Sequence, residues 1–432
     1  MNSFGYYPAS EPLGVIHPAW QDELHAIMDD SNWSILPIGK RRSYGDSCLN
    51  NQGILVDLSA MNKLMHFDTV NGIIRCEAGI TFKDLLSQIV PFGWFVPVSA
   101  GTQYVTLGGA IANDIHGKNH HTSGSFGNHV IRIALKRSDA EQLVICSVSE
   151  NPELFYATIG GLGLTGIIVW AEFKLVRILS PFMNVRTEKF IGYEEYLEIS
   201  QREEKEKEYS VAWFDSVTGG KNFMRGLMSS GEFMNHNENE SPTSTVTIPF
   251  HAPNSLLNPV SIKVFNSLYY RKTISKITER IQHYVPFFYP LDSIGDWNKL
   301  YGKRGFLQYQ CVLPHENARE SIEHILKYMN KKGFGSFLVV LKSFGEIESR
   351  GLLSFPMPGM TLAMDFPMRG DSTLKLLDYF DEVVDEAGGR VYPAKDARMS
   401  GEHFRSWYPK YKDMLKLKDP LIESTFWRRV ME

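Results

Sequence analysis

The stretch GGAIANDIHGKNHH (108–121) gathers groups able to do chemistry: His116, His120 and His121, with Asn113, Asp114 and Asn119 among glycines. Three imidazoles at this spacing could ligate a metal. Gly117 and Asn119 oppose a continuous helix, however, and no acidic residue completes an HExxH frame, so no metal is expected. Glycines recur at 101, 108, 109, 117, 124 and 127, with Thr, Ser and Asn between them. Such glycines let backbone approach a ligand, and the small polar side chains supply hydrogen bonds. Residues 99–130 read as a long polar ligand loop.

Two further glycine-rich segments carry weight. PIGKRRSYGDS (37–47) sets Arg41 and Arg42 beside Gly39 and Gly45 and ends in a turn signal, Tyr44-Gly45-Asp46. It could bring amides and cations to an anion, or be a basic surface turn; the lack of a GxxxxGK[ST] frame excludes a P-loop. GGLGLTG (160–166) satisfies GxGxxG with Gly161, Gly163 and Gly166. A dinucleotide fingerprint must follow a strand and open a helix, whereas here helical NPELFYAT precedes and strand-like IIVWAEF follows. A tight helix-to-strand turn is the better reading.

The elements that must position these segments fall into two textures. Up to about residue 180, short strand-like pieces (SILPIG, GILVDL, GIIRCEAG, WFVPVSAGT, VIRIALKR, LVICSV, GIIVWAEFKLV) alternate with short helices (PAWQDELHAIMDD, FKDLLSQIV, NPELFYATI). QREEKEKEYS reads as a solvated charge run, and GEFMNHNENESPTST (231–245) as a mobile polar loop. Between about 255 and 385, helical ARESIEHILKYMNKK and TLKLLDYFDEVVDEAG alternate with strand-like FLQYQCVLP, FGSFLVVLKSF and MTLAMDFPM, which predicts a sheet backed by helices. The aromatic and basic tail is expected to return to the first domain. Gln308 and Gln310 alternate with Leu307 and Tyr309, so both amides share one strand face, towards a ligand or towards solvent.

The 432 residues exceed one ordinary core, and a formal charge of −4 without a strongly basic segment argues against nucleic acid. Cys48, Cys76, Cys146 and Cys311 are scattered and read as free thiols in a reduced compartment. MNSFGYYPASEP lacks the parts of a secretory signal, and no apolar run reaches the ~20 residues needed to span a bilayer. A cytoplasmic location, or a peripheral one at a membrane, is expected.

Taken together, GKRRSYGD (39–46), the run from Ser99 to Val130 and LFYATIGGLGLTGII (154–168) resemble the FAD-linked oxidases of the vanillyl-alcohol oxidase type, with the PCMH-type FAD-binding domain. Within that superfamily they are most similar to the decaprenylphosphoryl-β-D-ribose 2′-oxidase group. The resemblance continues through FYPLDSIGDWNKLYG (288–302), GFLQYQCVLP (305–314), KSFG (342–345), MDFP (364–367) and YPAKDAR (392–398). It implies an α+β protein: an FAD domain of two α+β subdomains (10–180), an α+β substrate domain (181–385), and a C-terminal segment (386–432) that completes the first.

Carried onto matching positions, the resemblance implies that FAD is lined by Gly39, Arg41, Arg42, Ser43, Tyr44, Gly45, Asp46, Gly101, Thr106, Leu107, Gly108, Gly109, Asn113, Asp114, Ile115, His116, Gly117, Ile168 and Tyr392. The turns 39–45 and 106–109 would then suit the two phosphates of a dinucleotide. Several superfamily members tether FAD through a histidine in the first turn; Arg42 stands in that place, which implies noncovalent FAD. Lys395 is the leading catalytic candidate, with His116 and Tyr44, while Gln308, Gln310, Tyr289, Lys342, Phe344 and Lys395 would meet substrate.

The implied reaction oxidises a secondary hydroxyl of a polyprenyl-phosphate-linked pentose to a keto sugar, the first half of an epimerisation completed by a short-chain reductase. An aldonolactone or free-sugar oxidase, and a flavin-binding subunit without catalysis, are the alternatives. Well-known members of the group have an Asn and a Cys where this chain has Thr361 and Ala363. Thiol-directed inhibitors of those relatives are therefore not expected to react here.

Overall fold

The computed structural model describes residues 2–29, 32–236, 246–254 and 256–432. Strands Gly14–Ile16, Ile54–Asp57 and Ile35–Ile38 form a parallel sheet in that order. The chain end joins its edge: Ile35 donates its N–H to the Leu421 carbonyl and accepts from the Glu423 amide, at 3.0 and 2.8 Å. A second, antiparallel sheet has the order Leu64–Asp68, Ile73–Glu77, Ile167–Lys174, Val130–Lys136, Val144–Ser147. Helix Phe82–Ile89 begins where Thr81 Oγ1 accepts from the Asp84 amide, and its Phe82, Leu85, Leu86 and Ile89, at i, i+3, i+4 and i+7, pack into that sheet's core.

An antiparallel sheet of eight strands runs Ile277–His283, Phe182–Ile191, Arg225–Phe233, Tyr209–Phe214, Val339–Phe344, Gly359–Pro367, Phe306–Leu313, Arg390–Val391. Strand Phe306–Leu313 is buried on both faces. Leu307, Tyr309, Cys311 and Leu313 join the core with Ile322, Ile325, Leu326 and Met329 of helix His315–Lys331, and with Leu376, Leu377, Phe380 and Val384 of helix Asp371–Glu386. The period of two leaves Gln308 and Gln310 on the opposite face. The molecule is α+β throughout.

Three local expectations change. WFVPVSAGT is a strand only at Trp94–Phe95; Pro97 cannot donate to a ladder, and the chain leaves it as a loop. The charge run ends helix Gly192–Glu206 and is not wholly solvated: Glu203 is 2% exposed, accepts from Ser230 Oγ at 2.6 Å and pairs with Arg202. Gly231 to Phe233 close strand Arg225–Phe233, while 237–245 lie outside the described residues. The GGLGLTG segment is the expected turn from helix Pro152–Thr158 to strand Ile167–Lys174, with Gly160, Gly163 and Gly166 at positive φ.

Candidate active site

The far face of the eight-stranded sheet and the glycine-rich loops of the first 170 residues enclose a cavity of about 870 Å³, within the range of roughly 300–1,000 Å³ usual for ligand sites. Two turns meet in its wall, but the second does not present free amides: Leu107 and Gly108 donate theirs to the Ile80 and Ala78 carbonyls and Gly109 to Thr106 Oγ1. A Cβ on Gly39 would stand 2.2 Å from Thr106 Oγ1, so only glycine lets the first turn lie against the second. Thr106 caps the short helix Leu107–Ala112, its hydroxyl accepting from the Gly109 amide at 3.3 Å. The backbone amides of Lys40, Arg41, Arg42 and Ser43 donate to no acceptor among the described residues. Arg42 Nε is buried without an acceptor, while its guanidinium stands 5.2 Å from the ring centres of Phe4 and Tyr104.

The opposite wall is a polar cluster. Gln310 Nε2 lies 2.9 Å from His116 Nε2 and 3.2 Å from Thr361 Oγ1, and Lys342 Nζ lies 3.0 Å from His116 Nδ1. Phe344 meets the His116 ring edge-on at 4.8 Å. Burial, followed by Lys342, keeps His116 neutral well below the usual imidazole range. Lys395 Nζ sits over the Tyr44 ring, 3.7 Å from its centre. Burial draws Lys395 down to about 7, with Asp365 pulling the other way. Burial, then Lys118 and Lys395, also draws Lys342 to about 7. Asp365 is pushed up to about 7 by burial, against the Gln308 amide that donates to Oδ1 at 2.6 Å, then Lys395, then the Tyr301 hydroxyl. Two lysines on the cavity wall, and a carboxylate behind Gln308, thus have proton affinities near neutrality, which suits the lysines to proton transfer.

Of the residues singled out in the sequence, Gly39, Arg41, Arg42, Ser43, Tyr44, Gly101, Thr106, Gly108, Gly109, Asn113, Ile115, His116, Gly117, Ile168, Gln308, Gln310, Lys342, Tyr392 and Lys395 all line this cavity. Six others are not among the lining residues. Gly45 is pressed against the Asp396 carbonyl, where a Cβ would come within 1.5 Å. Asp46 is 1% exposed and held by Arg429, and Leu107 is 0% exposed in the core. Asp114 accepts from Ser125 Oγ, the Gly127 amide and Ser354 Oγ, tying three loops together. Tyr289 shares a 2.6 Å hydrogen bond with Ser99, which lines the cavity. Phe344 touches His116 rather than the cavity. His116 itself has both ring nitrogens engaged, Nε2 with Gln310 and Nδ1 with Lys342.

Asp365 and Lys118 escaped the reading of the sequence. Asp365 follows Thr361 and Ala363 at a spacing of two, so alternation alone puts it on the cavity face. Lys118 lies in the histidine-rich loop; its Nζ donates to the Phe288 carbonyl at 3.2 Å, and burial draws it to about 8. The four cysteines are free.

Residues 12–145 match the model of a family described as an FAD binding domain. The chain is 34% identical over 401 residues to decaprenylphosphoryl-beta-D-ribose oxidase of Mycolicibacterium smegmatis, covering 90% of this chain and 86% of that protein. It is 26% identical to cytokinin dehydrogenase 8 of Oryza sativa subsp. indica, over 45% of this chain and 41% of the relative. Human Delta(24)-sterol reductase is 28% identical over 33% of this chain and 28% of its own length.

Proposed function

The chain belongs to the family of FAD-dependent oxidases that includes decaprenylphosphoryl-beta-D-ribose oxidase, and from that premise we propose that it oxidises a secondary hydroxyl of a polyprenyl-phosphate-linked pentose to a keto sugar. It is an FAD-dependent oxidoreductase. Its residues fit that cofactor. The undonated amides from Lys40 to Ser43 and the orphaned Arg42 Nε suit a pyrophosphate, and Gly39 against Thr106 keeps side chains out of the cradle. Bound FAD supplies the hydride acceptor.

The observation that carries the reading is Lys395 over Tyr44. An amine whose pKa is about 7 is partly unprotonated at neutral pH, so Lys395 Nζ can take the proton of the sugar hydroxyl. The ammonium then formed is stabilised by the face of the Tyr44 ring at 3.7 Å and by Asp365. Gln308 and Gln310 offer amides to the other hydroxyls. His116, clamped by Gln310 and Lys342, is a positioning residue that holds the wall in shape. Burial of Lys395, Lys342 and Asp365 strengthens each of these interactions. In this reading the keto product passes to a separate short-chain reductase, and the pair inverts one carbinol.

The test is flavin absorbance under anaerobic conditions with a polyprenylphosphoryl ribose analogue or, separately, an aldonolactone. Bleaching by the lipid-linked sugar alone supports the proposal. Bleaching by the lactone moves the assignment to a free-sugar oxidase, and bleaching by neither removes both substrates.

A further inference from the structure

No helix among the described residues is long and apolar enough to cross a membrane. The exposed apolar side chains are nevertheless concentrated. Of twenty-two large ones described, eight fall between residues 246 and 274: Val246, Phe250, Leu256, Val260, Val264, Phe265, Leu268 and Ile274. Three of them, Val260, Val264 and Leu268, recur at i, i+4 and i+8 along helix Pro259–Arg271 and are 72%, 55% and 65% exposed. The opposite side of the helix holds it to the protein. Ile262 is buried there, and Asn266 Nδ2 donates to Asp215 Oδ1 at 2.9 Å and to the Ser336 carbonyl at 3.2 Å. The outward stripe therefore plays no part in seating the helix.

Charge is biased in the same segment. Residues 246–276 contain Lys263, Arg271, Lys272 and Lys276 and no Asp or Glu, in a chain whose formal charge is −4. Among the described residues only Lys276 of these four has a carboxylate partner, Glu195 at 2.7 Å. The segment also reaches the cavity, which Thr247, Tyr269, Lys272 and Thr273 help to line. A helix face that exposes Val260, Val264 and Leu268, in a segment with four cations and no carboxylate, is unusual for a surface that meets only water.

We infer that helix Pro259–Arg271 and its flanks are the surface by which the protein docks on an anionic lipid bilayer. The apolar stripe enters the headgroup boundary, the cations face lipid phosphates, and the cavity mouth is held beside the bilayer. Docking deepens the lipid-linked reading of the substrate and rests on it only for the direction of supply. Binding is measured without any sugar, so the two fail separately.

The test is flotation of the flavin-loaded protein with vesicles of phosphatidylcholine alone or with about 30 mol% phosphatidylglycerol. The expected result is binding to the anionic vesicles that weakens with salt and falls about tenfold or more in Val264→Asp/Leu268→Asp. Lys263→Glu/Arg271→Glu, which leaves the apolar stripe intact, is expected to lose the preference for anionic lipid. Retained flavin absorbance verifies the fold of each variant. Wild-type protein that floats with neither vesicle, or a Val264→Asp/Leu268→Asp variant that floats as well as wild type, overturns the inference. So does a concentration-dependent dimer abolished by those two substitutions, which would assign the face to a second copy of the chain.

Discussion

His116 and Lys342 meet nitrogen to nitrogen, Nδ1 to Nζ, at 3.0 Å. A neutral imidazole has one N–H, so the other side of the ring decides who donates. There Gln310 Nε2 lies 2.9 Å from His116 Nε2 and also donates to Thr361 Oγ1, whose hydroxyl in turn donates to the Cys311 carbonyl. With Gln310 donating to Nε2, the ring proton sits on Nδ1 and Lys342 accepts it as a neutral amine. A pKa drawn to about 7 permits that state. Protonating Lys342 would reverse the bond and require the Gln310 amide to turn over, so the charge of one lysine and the direction of one amide are linked.

That linkage has a stability signature. Replacing Lys342 with Met is expected to stabilise the flavin-free protein below pH 7, where lysine is charged in both folded and unfolded chains and the folded state bears the cost of burial. Above pH 7 the folded lysine is neutral, and the advantage of the variant should shrink by up to about 1.4 kcal/mol per pH unit until the unfolded lysine also loses its proton. Urea melts of both proteins across this range measure it. An advantage that grows with pH would refute the buried neutral amine.

Lys395→Ala is expected to retain FAD and to lose substrate-driven flavin reduction by about 10²- to 10⁴-fold. In the wild type the reduction rate should rise as pH passes through about 7, where Lys395 loses its proton, and then level. Stopped-flow reduction against pH checks both. A flat wild-type profile would remove Lys395 as the proton acceptor.

Ala363 lines the cavity, whereas Cys311, across the ladder from Leu362, is buried on the helix side with its thiol pushed up to about 12. Cys48 also lines the cavity, its thiol pushed up to about 12 by burial, so electrophiles that enter should label Ala363→Cys at position 363 well ahead of Cys48 and leave Cys311 unlabelled. Peptide mass mapping after treatment decides it, and labelling of the wild type at Cys311 would show that the wall opens.

The noncovalent FAD implied by the resemblance predicts that acid denaturation leaves the yellow colour in the supernatant and a colourless pellet. Arg42→Ala should weaken FAD binding by about tenfold or more, the scale of one charge-assisted hydrogen bond. Fluorescence titration of the apoprotein with FAD measures the second effect. Colour retained in the pellet would contradict noncovalent binding.

Much of this molecule is local and therefore readable along the chain. A period of two on 306–313 puts Gln308 and Gln310 on one face, and the i, i+3, i+4, i+7 pattern gives helix Phe82–Ile89 its buried side. The order of helix, glycines and strand around 160–166 favours a tight turn over a dinucleotide fingerprint without any tertiary information. Glycine at 39 and 45 signals close approach, although not which partner is approached. That proves to be Thr106 at one and the Asp396 carbonyl at the other.

What a side chain is next to decided the rest. Asp46 and Asp114 stand in polar, glycine-rich strings like their neighbours, yet Arg429 claims one and Ser125, Gly127 and Ser354 claim the other. Lys342, Lys395 and Asp365 belong to three separate segments, and nothing within any of them sets a proton affinity near neutrality. Residue type and local period are properties of the chain, so the sequence determined the elements, the glycine turns and the face of each strand. Desolvation and charge–charge coupling depend on atoms brought together from distant positions, so only the tertiary structure decided which of those residues could exchange a proton.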